Sequence, residues 1–202
     1  MSSTTEKKER REKALSVVER WWMQMALSQE ELKVKNLHKA PTRYRAELRR
    51  CENSDAAMLT EAFRDLWLHL PEEISQEKQY NIQAYATIAA VLSHITKSDT
   101  KRFAASLGSI DTKTDKPVVS ELRLQQLQAA KDPDVFFRRL HRLVKQVKGV
   151  ANPRELASDI LDWFDEHYGH VTTRRADKRV AVRWALDYFG AQSRKASQST
   201  TD

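Results

Sequence analysis

Residues Phe136 to Lys148 read FFRRLHRLVKQVK, and this stretch sets the class of the whole chain. At 100° per residue, Phe136, Leu140, Leu143 and Val147 fall on one face, while Arg138, Arg142 and Lys145 lie almost opposite. With Arg139 and Lys148 the stretch holds five cations and no acid. An apolar keel beneath an uncompensated basic ridge predicts an amphipathic helix whose outer face can track a phosphate backbone. Asp132-Pro133, just ahead of it, supplies an N-cap and a proline at the first helical position.

Outward from this helix the same period continues. Asn152-Pro153 repeats the capping device and opens a helix that ends at His167. Thr172 or Thr173 starts a final helix that ends at Phe189, before Gly190. Upstream, Ser120 caps a helix over Glu121–Ala130. Residues Ser109 to Val119 (SIDTKTDKPVV) form the longest loop, polar and expected to be mobile. A short helix, KRFAASLG, precedes it, and residues Thr96 to Thr100 are a break. In the N-terminal half, a helix from about Thr5 to Leu27 buries Leu15, Val18, Trp22 and Met25. A second element begins at Ser28, which stands at capping-box spacing from Glu31, and is interrupted by Pro41. Further helices span about Pro41–Arg50, the segment AFRDLWLHL with Phe63, Leu66, Trp67 and Leu70 inward, and about Gln76–Ile95. Asn53, Ser54 and Asp55 read as a turn.

Gly108, Gly149, Gly169 and Gly190 all fall where a helical pattern stops, as C-terminal caps do. Period-two runs of β-branched residues are absent. The fold class is therefore all-α: about ten helices in two small bundles, divided near residue 98, with basic surface ridges. Residues 1–12 form a frayed extension, 13–97 and 98–190 the two domains, and 191–202 a disordered tail.

The bulk composition bounds the partners. Net charge is +7 with a pI near 9.5, which favours an anionic partner. The single cysteine, Cys51, excludes an internal disulfide and fits a reducing cytoplasm; it reads as a small residue at a helix end rather than a nucleophile. The N-terminal MSSTTEKKERREK lacks the apolar core of a signal peptide. No apolar run approaches a bilayer span, so no membrane partner is expected.

Charge is unevenly placed. Residues 149–170 hold Arg154 against Glu155, Asp159, Asp162, Asp165 and Glu166. In the last helix, Arg175, Arg179 and Arg183 recur every four residues, roughly opposite Ala181, Trp184, Ala185 and Tyr188. Two basic helices thus flank an acidic one. Either the two ridges form a groove for a nucleic-acid backbone, or both faces are merely solvated and the acids between pair with them. No base-reading device is visible, so binding is expected to be largely sequence-independent.

Enzyme chemistry finds little support. Asp159, Asp162 and Glu166 have a spacing that could hold a divalent metal, as in a nuclease, but acidic helix faces produce it by chance. Glu61, Asp65 and His69 share a face and read as a solvated surface. His167 and His170 lack zinc-spaced partners. There is no phosphate-cradling glycine loop and no GxSxG. No enzyme, metal or cofactor is expected. Trp22, Trp67, Trp163 and Trp184 sit on apolar stripes as core; Trp21 cannot face the same way as Trp22 and is a candidate for a helix or subunit contact.

The ordered segments RAELRRCENSDAAMLTEAFRDL, KRFAASLG, VVSELRLQQLQAAKDPDVFFRRLHRLVKQV and VRWALDYF resemble the CasB family, the small subunit of the type I-E CRISPR surveillance complex Cascade. The resemblance spans about residues 13–190. It implies an all-helical, non-catalytic subunit, with a second copy of itself in the complex beside the backbone and large subunits. Such a subunit stabilises the guide RNA–target DNA hybrid and the displaced strand of the R-loop during antiviral defence. R-loop formation is nearly balanced, so modest backbone contacts can tip it. The resemblance carries Arg50, Arg123, Arg138 and Arg139 over as nucleic-acid-binding residues. The helical wheels add Arg142, Lys145, Arg175, Arg179 and Arg183, and Arg102 of KRFAASLG completes the candidate set. Gln125, Gln126 and Gln128 stand where more positive charge is expected. The rival reading is a purely structural scaffold that docks protein neighbours without touching target DNA.

Overall fold

A computed structural model describes residues 2–169 and 175–198, with side chains from residue 5 to residue 193. The fold is all-α apart from one two-stranded hairpin, and the chain divides into two compact units, Met1–Lys97 and Ser98–Asp202. Among the described residues, no helix is long and apolar enough to cross a membrane.

The first unit holds α1 (Ser2–Ala26), α2 (Gln29–Val34), α3 (Thr42–Arg50), α4 (Ser54–Met58), α5 (Glu61–His69), α6 (Glu72–Glu77) and α7 (Asn81–Leu92). The capping box forms as the spacing predicts: Glu31 N–H donates to Ser28 Oγ, and Ser28 N–H donates to Glu31 Oε2 at 2.8 Å. The expected turn at Asn53 is instead the cap of α4, with Asn53 Oδ1 accepting from Ala56 N–H at 2.8 Å. The long helix expected over Gln76–Ile95 is two helices. Lys78 is extended between α6 and α7, and Asn81 Nδ2 takes the Ile74 carbonyl at 2.7 Å.

α7 is buried without interruption from Ala84 to Leu92, which makes it the axis of the unit; a helix apolar on all sides belongs in an interior. Trp22 Nε1 donates to the Ile95 carbonyl at 3.0 Å and anchors α1 just past its end. Arg45 and Arg49 Nε both donate to the Ser93 carbonyl, at 2.9 and 3.1 Å. Two arginines of α3 thus satisfy the C-terminus of α7, where cations are favoured. Trp21 is buried as well, and so is Cys51, whose thiol is raised by burial and then by Glu47.

The second unit holds α8 (Phe103–Gly108), strands β1 (Ile110–Asp111) and β2 (Lys116–Pro117), then α9 (Glu121–Gln128), α10 (Pro133–Gln146), α11 (Pro153–His167) and α12 (Val180–Gln198). The loop expected over Ser109–Val119 is a tight antiparallel hairpin, with Ile110 opposite Pro117. Asp111 organises its turn by accepting Lys113 and Thr114 N–H at 2.8 and 3.3 Å, bonds that hold its carboxyl below the ordinary range.

Both Asx-Pro caps form: Asp132 Oδ1 accepts from Asp134 and Val135 N–H, and Asn152 Oδ1 from Glu155 N–H, all at 3.0 Å. Ser120 occupies an N-cap position but its side chain makes no capping bond. Gly149 and Gly169 are left-handed helix stops, φ 72° and 73°. The other two glycines are not caps. Gly108 packs so closely on α12 that a Cβ there would lie 2.2 Å from the Tyr188 carbonyl oxygen. Gly190 lies inside α12, which continues through the expected tail to Gln198. The core between these helices is aromatic: Phe136 stacks on Trp163 at 3.9 Å and lies parallel to Trp184 at 6.3 Å, with Phe164 edge-on at 6.3 Å.

Candidate nucleic-acid interface

The burial of α10 follows its sequence. Phe136, Phe137, Leu140, Leu143, Val144 and the C-cap Val147 are inside, while Arg138, Arg142 and Lys145 are exposed. Among the described residues these three cations make no ion pair and no hydrogen bond. Seven residues separate Arg138 from Lys145, about 10 Å of helical rise. Lys148, just past the helix, is also exposed. Arg139 takes a different path: it is half-buried, and its guanidinium donates to the Gln126 carbonyl of α9. Arg123, exposed on α9, donates to Gln146 Oε1 at 2.7 Å and so stands beside the C-terminal turn of α10. His141, half-buried against Phe137, is driven down to about 4 by burial and then by Lys145, so at neutral pH it adds no charge.

The other candidates are arranged differently. Arg175 lies outside α12 and forks onto Asp177 at 3.1 and 3.2 Å. Arg179 ends the 3₁₀ turn Ala176–Lys178 and is exposed. Of the expected ridge Arg175–Arg179–Arg183, only Arg183 is on α12, because the helix begins at Val180; the Thr172–Thr173 start lies outside the described residues. Arg183 itself turns inward, its side chain 16% exposed, and binds Asp162 Oδ2 at 2.8 Å and Asp159 Oδ1. Trp184 Nε1 donates to the second oxygen of Asp159 at 2.6 Å.

Arg102, at the N-cap position of α8, joins the same cluster through Glu155 at 3.0 Å and Asp187 at 2.9 Å. Four carboxylates there face two guanidinium groups. Burial, and next the charge of Asp159, raises Glu155 to about 7. Asp159 and Asp162 thus hold an arginine, Glu61 pairs with Arg43 at 2.6 Å, and among the described residues no three such side chains are placed so that they could hold a metal ion. Arg50 is exposed and unpaired among the described residues, at the end of α3 in the other unit.

The structure therefore brings Arg123, Arg138, Arg142 and Lys145 to the outer side of α9 and α10, and ties Arg102 and Arg183 to carboxylates, Arg183 largely buried and Arg102 still partly exposed. Lys131, which sequence reasoning passed over, and Lys148, counted in the basic stretch but left out of the candidate set, are exposed cations at the two ends of α10. Both were visible as cations next to helix-terminating signals.

The comparisons with known proteins bear on what such a molecule is. A family model for CRISPR-associated protein Cse2 matches residues 44–189, well over half of the chain. Neither the curated proteins nor the solved structures contain a match. The matched span contains every candidate arginine and lysine described above and runs from α3 to the middle of α12. By that match the chain belongs to the Cse2 family, also called CasB, and is a small subunit of the type I-E CRISPR complex Cascade.

Proposed function

We propose that this subunit binds nucleic-acid backbone without sequence specificity, and that within Cascade it stabilises the guide RNA–target DNA hybrid and the displaced non-target strand. The observation that supports the reading is the free charge of Arg138, Arg142 and Lys145, held on one face of a helix whose other face is fully packed. A rigid helix keeps its cations in register without ordering a loop first, so less entropy is lost on binding. Along a duplex axis the phosphates of one strand recur about every 3.4 Å, so a ridge about 10 Å long spans enough backbone for its cations to meet separate phosphates. With Arg123 alongside, the cations form a band rather than a line. The partners are then guide RNA and target DNA, besides the protein neighbours in the complex, and the work is done in the cytoplasm. The role is electrostatic and needs no catalytic group.

A scaffold reading has its own support. Val182, Leu186 and Phe189 are exposed along one side of α12, at 36%, 61% and 43%. An apolar stripe of that kind suits contact with a protein neighbour. The two readings assign different faces different work, and a crosslinker separates them. With a photoreactive residue at position 142 in assembled Cascade carrying an open R-loop, the proposal expects a DNA adduct. Adducts to protein alone would leave only the scaffold.

A further inference from the structure

Where the α10 ridge ends, a cleft opens. It has a volume of about 480 Å³ and is bounded by the end of α8, the β1–β2 hairpin and the chain just after α10. That volume lies within the range of small-ligand sites. Two features connect it to the ridge. Gln146, one residue past Lys145, lines the cleft and also holds Arg123. Lys148 and Lys101, both exposed, stand in its wall. The cations of α9 and α10 therefore lead to a cavity that carries two more.

The interior is suited to a flat, partly polar group. Pro117, Val118, Val147 and Val150 supply aliphatic walls. Asp99 and Asp111 supply acceptor oxygens; each commits Oδ1 to a turn, accepting Lys101 N–H at 3.2 Å and Lys113 N–H at 2.8 Å. Carboxylates inside a cleft repel a phosphate and accept from an amino group, whereas lysines attract the phosphate. A nucleotide carries both groups.

We infer that this cleft takes one unstacked nucleotide of a strand that follows the α10 ridge. The phosphate lies by Lys148 and Lys101, and a base bearing an exocyclic amine lies against the aliphatic walls and the acid oxygens. The inference rests on the ridge reading above and adds to it. Binding stays sequence-independent along the ridge but gains a preference for adenine, cytosine or guanine over thymine at a single position. The cleft has no aromatic side chain in its lining, so the base is held by van der Waals contact and hydrogen bonds rather than by ring stacking.

The test uses the full chain and single-stranded oligonucleotides in which one 2-aminopurine is moved along the sequence. Unstacking brightens this base, so one position is expected to gain emission on binding. Ser106→Phe, which fills the cleft from a half-exposed position on α8, is expected to abolish that gain while changing affinity less than about threefold. Lys148→Gly is the second variant. Lys148 sits at φ 55°, where glycine is unstrained, so the chain keeps its fold and loses the charge, and the positional signal falls. If strand binding is intact but no position brightens, or if both variants keep the signal, the cleft is not a nucleotide site and the ridge reading stands. If the intact chain binds no strand, or binds it equally without Arg138, Arg142 and Lys145, the ridge reading fails and takes this inference with it.

Discussion

The outer face of α10 and the interior cluster around Arg183 use the same side chains to opposite ends. On α10, Arg138, Arg142 and Lys145 stand exposed with no partner among the described residues. Between α8, α11 and α12, Arg102 and Arg183 are drawn onto Glu155, Asp159, Asp162 and Asp187. The difference is set by what faces each helix. α11 presents its acids toward α12, so the arginine that meets them is neutralised and buried. Among the described residues, α10 meets no carboxylate on its outer face: Arg139 reaches only the Gln126 carbonyl of α9, and Arg138, Arg142 and Lys145 are left to water. Basic residues at helical spacing therefore do not by themselves make a binding surface; the local supply of carboxylates decides.

The comparison can be broken most sharply at Arg183. Arg183→Ala leaves Asp159 and Asp162 buried without their guanidinium, and is expected to destabilise the protein by about 3–5 kcal/mol, read by chemical denaturation. A loss below about 1 kcal/mol would mean that this arginine behaves as a surface charge. Gly108→Ala comes next. A methyl group 2.2 Å from the Tyr188 carbonyl forces α8, which Arg102 precedes, away from α12, which carries Arg183. The expected cost is about 3 kcal/mol, seen as a lower midpoint in the same experiment. An unchanged midpoint would mean the helices are not in backbone contact.

A subtler effect concerns pH. Glu155 titrates near 7 in the folded protein against 4.5 ordinarily, so between those values the folded state holds the extra proton and stability falls as pH rises. His141 titrates near 4 against 6.5, so between those values the unfolded state holds the extra proton and stability rises with pH. The two slopes oppose each other between pH 4.5 and 6.5. Glu155→Gln removes the first and should leave a melting temperature that climbs more steeply with pH across that window than in the parent. A parallel curve would show that Glu155 is not raised. The smallest stability effect belongs to the ridge: Arg142→Ala is expected to stay within about 0.5 kcal/mol of the parent, in contrast to Arg183→Ala.

Much of this was readable in the sequence, and the limits have physical reasons. α10 was legible from end to end because its apolar period, its Asp132-Pro133 cap and its glycine stop all agree. The Ser28 capping box and the Asn152-Pro153 start were legible for the same reason: each is a local device whose partner lies within three residues. What failed depended on distant partners. A helical wheel gives Arg183 a direction but not the acids that meet it there. Gly190 looks like a stop, yet it lies within a helix, and Gly108 is set by a crossing with residue 188. The hairpin of residues 110–117 has two-residue strands, too short for any period to appear. The break between α6 and α7 carries no proline or glycine to mark it; it is bridged by the bond from Asn81 to Ile74, seven residues back.

The central claim is that free charge on α10, rather than basic composition at large, binds the strand. The most direct measurement is the salt dependence of single-strand affinity for the parent and for the variant Arg138→Ala, Arg142→Ala, Lys145→Ala. Three lost phosphate contacts should make the slope of log affinity against log salt shallower by about 2 and weaken binding at low salt. An identical slope and an identical affinity in the variant would contradict the account.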